Sequence, residues 1–179
     1  MALDELLRQE MSRAQTDFVV NIVLQQPALF DELWGYYLHA EDPVNRRAAW
    51  AIDYITESKP KLLIPKLPQL IEALPSFKHN GLVRHALRMI SRIQIPESHV
   101  GELVDFCFKI LLMKEMDIAP KVFGMDILYR ISNQEPELKS ELADTIAYRM
   151  DEGTPGYKAH ANKLLQVLYR EIDELKAKA

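Results

Sequence analysis

The chain has 179 residues, 48% apolar and 27% charged, with a formal net charge of −4. That composition suits one globular domain with a continuous core, and it excludes a general electrostatic pull toward nucleic acid or an anionic membrane. A single cysteine, Cys107, excludes an internal disulfide.

Residues 2 to 13 read as an amphipathic helix, with Leu3, Leu6, Leu7 and Met11 opposite Asp4, Glu5, Arg8 and Glu10. Residues 16 to 25 read as a second, more apolar helix, with Thr16 or Asp17 near its start. The pair is expected to cap the N-terminal end of a helical stack. Pro27 opens a helix reaching about Ala40, with Leu29, Phe30, Leu33, Trp34 and Tyr37 on its apolar side.

The stretch from Asp42 to Tyr54 organises the rest. Asp42 is placed to cap free backbone N–H groups, and Pro43 suits a first turn, where its missing N–H costs nothing. Ala48, Ile52 and Ile55 then share one side of a helix spanning 43 to 57. From Pro60 the chain is interrupted by Pro65 and Pro68, so the next helix is expected to start at or near one of these. Further helices are predicted over 81 to 94, 96 to 113, 117 to 133, 136 to 150 and 157 to 176. Cys107, between Phe106 and Phe108, is expected to be buried and inert.

The helix at 43 to 57 recurs. Ala48, Ala86, Gly124 and Ala161 are spaced by 38, 38 and 37 residues. At matching offsets Ile52 aligns with Ile90, Leu128 and Leu165, and Ile55 with Ile93, Ile131 and Leu168. Small, large and large therefore recur at i, i+4 and i+7 in four helices. A period of this length marks a helical solenoid. The competing reading is an irregular bundle of similar helices. The expected organisation is one domain over 1 to 179: a cap (1 to 26), four helical pairs (27 to 170) and a charged tail (171 to 179).

Asp42-Pro43-Val44-Asn45-Arg46-Arg47-Ala48-Ala49-Trp50-Ala51-Ile52 resembles the second-helix signature of HEAT and armadillo-like repeats. The other copies keep only parts of it: Arg84, Ala86 and Ile90, then Gly124 and Leu128, then Ala161 and Leu165. The resemblance implies an all-α, right-handed superhelix. Its second helices would line a concave surface that typically binds a protein or peptide.

One window is charged on a single side. Between Glu72 and Glu97 there is no acid, while Arg84, Arg88 and Arg92 recur at i, i+4 and i+8. Their counter-charge is either internal, from Asp53 or Asp126, or external, from a phosphate or acidic peptide. Arg is suited to bidentate contact with such groups. Arg46 shares a repeat column with Arg84, and Trp50 shares one with Arg88. Trp50 is either an exposed binding anchor or packed in the stack.

The histidines (His39, His79, His85, His99 and His160) are scattered, although His85 and His160 occupy one repeat column. No metal-ligand spacing, Gly-rich phosphate loop or nucleophile elbow is found, so no cofactor is expected. The N-terminus lacks a basic, apolar leader, and no apolar run approaches the ~20 residues that cross a bilayer, so a cytoplasmic setting without membrane contact is expected.

The leading expectation is a non-enzymatic scaffold. It would bind a partner protein or acidic peptide through Arg46, Trp50, Arg84, Arg88 and Arg92. The alternative is a DNA-binding enzyme resembling the HEAT-like alkylpurine-DNA glycosylases, with Trp50, Asp126 and Arg130 in the roles of that family's Trp, Asp and Arg. Nucleic acid is disfavoured by the acidic balance. Self-association through the end of the stack is a third reading.

Overall fold

A computed structural model describes residues 2–178, and every regular element among them is helical. The chain divides into two compact units, Met1–Gln94 and Ile95–Ala179.

The first unit contains α1 (Leu3–Gln9), α2 (Arg13–Gln25), α3 (Phe30–His39), α4 (Val44–Ser58), α5 (Leu67–Ala73) and α6 (Asn80–Ile90). The predicted 2-to-13 helix is interrupted. Glu10 is extended, and Ser12 caps α2 by accepting from the Gln15 N–H. The helix therefore starts at Arg13, about one turn ahead of the expected start near Thr16 or Asp17. Thr16 instead donates its hydroxyl to the Ser12 carbonyl, and Asp17 pairs with Arg13.

Helix α4 is the hub, as its sequence suggests: α1, α2, α3 and α6 all pack on it. Arg47 ties it to α1 by donating to the Leu7 carbonyl at 2.8 Å. Its start differs from expectation. Pro43 follows a cis peptide bond and occupies the N-cap, while Asp42 caps nothing and pairs with Arg46 one turn on. A carboxylate that reaches a guanidinium at i+4 is drawn from the backbone to the stronger charge.

The proline-rich stretch resolves into short 3-10 turns, Pro60–Leu62 and Ile64–Lys66, before α5 begins with Pro68 in its first turn. Trp34 on α3 donates its indole N–H to Gln69 on α5 at 2.8 Å. Helix α6 ends at Ile90 rather than near Gln94. Ser91 bonds back to the Arg88 carbonyl, and Pro96 bars helical backbone at Ile95.

The second unit contains α7 (Val100–Leu112), α8 (Ile118–Ser132), α9 (Leu138–Arg149) and α10 (Pro155–Lys178). Helix α8 packs on the other three. Helix α10 continues through the charged tail as far as Lys178.

All three repeat columns are interior. Ala48, Ala86, Gly124 and Ala161 are buried, and so are the eight large residues aligned with them. In the second unit the small column admits a close neighbour. A Cβ added at Gly124 would sit 3.2 Å from Ile110 Cδ1 on α7, so that helix approaches α8 closely because glycine lets it. Cys107, facing the same spot at 3.9 Å, is fully buried, and burial pushes its thiol well up from its ordinary value.

Candidate functional site

The predicted arginine face lies in the first unit, on α4, α6 and the turn after α6. Along α4, Arg46, Trp50, Tyr54 and Glu57 recur every three to four residues, with Asp53 turned inward. Asp53 is 0% exposed. A bare carboxylate at that depth would be prohibitive, so it must be paired and hydrogen-bonded.

It is. Asp53 Oδ2 accepts from His85 Nδ1 and from an Arg88 amine, both at 2.8 Å, and Oδ1 accepts from Arg92 at 2.5 Å. Arg92 also donates to the Asp53 carbonyl at 3.1 Å. Glu57, one turn on, takes a second Arg88 amine at 3.1 Å and lies 3.5 Å from Arg92. Burial pushes the Asp53 carboxyl up. The His85 and Arg88 hydrogen bonds and the Arg92 charge outweigh it and hold the group below the usual carboxylate range.

His85 is fixed from both sides. Arg84 donates to its Nε2 at 3.1 Å, so the proton lies on Nδ1, facing Asp53. Residues from two adjacent repeats thus converge on one buried acid.

The predicted residues therefore divide. Arg88 and Arg92, 31% and 26% exposed at their side chains, have an internal counter-charge in Asp53, the first of the two acids considered. Asp126, the other, bonds His160 Nε2 at 2.8 Å in the second unit. Arg92 lies beyond the end of α6, so the three arginines do not share one helix face. Arg46 pairs with Asp42, and its stem runs beside the start of α6, where a Cβ on Gly81 would be 3.8 Å from its Cδ. Arg84 is exposed and, among the described residues, carries no ion pair.

Trp50 is half-buried, a state between the two expected. Its ring lies 6.4 Å from that of Tyr54. Arg13 stacks over the Tyr54 ring at 4.4 Å and donates to its hydroxyl, and Arg88 lies over the same ring at 5.7 Å. Tyr54 and Arg13 were not singled out from sequence, although an aromatic at i+4 from Trp50 was a readable signal.

The residues cast for the enzyme reading fall in different units: Trp50 in the first, Asp126 and Arg130 in the second. Arg130 is half-buried, and burial pushes its guanidinium down from its ordinary value. Among the described residues no group of three His, Cys, Asp or Glu side chains could hold a metal ion, and no helix is long and apolar enough to cross a membrane.

A second buried charge escaped the sequence reading. Lys139 on α9 donates to Glu171 at 2.8 Å, Asn133 at 3.0 Å and Ser132 at 3.3 Å. Glu171 also accepts from the Tyr129 hydroxyl at 2.9 Å. The signal was present, because Lys139 lies on the same helix side as Leu142, Ala143 and Ile146, and a cation there requires a partner.

A family model described as a HEAT repeat domain matches residues 3–168. Comparison with curated proteins returns no match, and neither does comparison with solved structures.

Proposed function

This chain belongs to the HEAT repeat family, and on that premise we propose that it is a non-enzymatic interaction module. It holds an acidic segment of a partner protein on the face carrying Arg46, Trp50, Arg84 and Arg88. Repeats of this class bury their own apolar faces by stacking, and they work through the surface left over.

The observation that carries the reading is the pairing of an exposed Arg84, without an ion pair among the described residues, with a half-buried Trp50 held against Tyr54. Trp and Arg are the side chains most enriched in interface hot spots. Asp53 adds a physical reason. It fixes Arg88 and Arg92 in place before any partner arrives, so less side-chain entropy is lost on binding. Arg92 then serves as an anchor for the face rather than a contact.

The test is capture of partners from the native host by wild type, Arg84→Glu and Trp50→Ala, with helix content followed by circular dichroism. Both variants are expected to keep their helix content and to lose the captured protein. Unchanged recovery with both would remove this face as the site.

A further inference from the structure

A cavity of the first unit lies apart from the residues of the arginine face. Helix α2 exits through Gln26-Pro27-Ala28-Leu29, and α4 exits through Lys59-Pro60-Lys61-Leu62. The two exits repeat one local design. Gln26 adopts φ −128 and ψ 76, and Lys59 adopts φ −130 and ψ 67, because the following proline ring bars the helical region. Each proline then opens a 3-10 turn. Helices α2 and α4 pack together, and the twin exits leave a cavity of about 360 Å³ beside them. That lies in the ~300–1,000 Å³ range of ordinary small-molecule sites.

Its lining is Val23, Leu24, Pro27 and Leu62, with Lys59 and Lys61 also on its wall. From Ser58 to Lys66 the chain carries three lysines and no acid. Lys66 is engaged with Asp31 at 2.7 Å. Lys59 and Lys61 are exposed and, among the described residues, form no ion pair. Ser58, the lining hydroxyl, already donates to the Ile55 carbonyl.

We propose that this cavity binds a medium-chain fatty acid, its tail on Val23, Leu24, Pro27 and Leu62 and its carboxylate on Lys59 and Lys61. A peptide would bring a row of amide groups into this lining, and its walls offer those groups few hydrogen-bond partners. An unbranched alkyl tail needs none, and its single anionic end meets two ammonium groups.

The experiment is titration of the isotopically labelled full chain with decanoate below its aggregation concentration, followed by amide NMR. Saturable shifts centred on Val23, Leu24 and Leu62 are expected, with Trp50 unmoved. Lys59→Glu/Lys61→Glu, at exposed positions, should keep the fold and weaken binding about tenfold or more, and decanol should bind wild type similarly weakly. Leu24→Trp, which fills the cavity, should abolish the shifts. The proposal is overturned if decanoate gives no saturable shift, if decanol or the charge-reversed variant binds as well, or if an acidic amphipathic peptide saturates these amides where decanoate does not. None of these outcomes depends on the arginine face.

Discussion

Asp53 shows how one residue can decide what its neighbours are for. A stripe of arginines suggests an absent ligand, but a fully buried carboxylate takes two of the three guanidinium groups and an imidazole. Removing that charge while keeping the shape should be costly, because it leaves Arg88 and Arg92 facing a neutral amide. Asp53→Asn is expected to lose about 3 kcal/mol of unfolding free energy, read from urea denaturation. The pH dependence follows from the same contacts. The folded-state carboxyl is held below its unfolded value of ~3.9. Its contribution is therefore present above that value and lost as pH falls through the lowered folded value. Wild type should lose stability as pH falls below about 4, toward the lowered folded value, and Asp53→Asn should lose less over the same descent; equal losses would contradict the assignment. The sequence offered Asp53 as one of two internal partners. Choosing between it and Asp126 needed the depth of each side chain, which spacing does not carry.

Among the elements, the second helices of the repeat were the most legible. Their apolar period is strong, and all twelve column positions predicted to face inward do so. Helix ends were less so. Asp42 forms an ion pair instead of a cap, and α6 stops short of Arg92, because local side-chain competition decides a terminus while periodicity decides a face. Gly124 tests the packing claim. Gly124→Ala should be nearly neutral: the helix-propensity gain of roughly 1 kcal/mol is offset by a contact at 3.2 Å that Ile110 must relieve. Gly124→Leu should cost about 1–3 kcal/mol by overpacking α7 against α8. Equal midpoints for the two variants in thermal unfolding would show that close approach is not required. The last helix makes a further case. Lys139 and Glu171 pin α10 to α9, so Glu171→Ala should speed amide hydrogen exchange in residues 171 to 178, measured by mass spectrometry.

Over the whole molecule, the repeat, the all-helical class and the family were readable because each rests on a pattern that recurs. The twin Pro exits and the cavity beside them were not, since they depend on two loops of different repeats lying side by side. The proposed role rests on a division of labour: Asp53 and Arg92 hold the face together, and Arg46, Trp50, Arg84 and Arg88 meet the partner. The most direct test compares Asp53→Asn with Arg84→Glu in two assays, urea unfolding and partner capture at a temperature where both variants stay folded. Arg84→Glu, which gives up its hydrogen bond to His85, should lose only about 1 kcal/mol yet lose the partner, whereas Asp53→Asn should be destabilised severalfold more. An Arg84→Glu protein that unfolds as readily as Asp53→Asn, or one that retains its partner in full, would contradict the account.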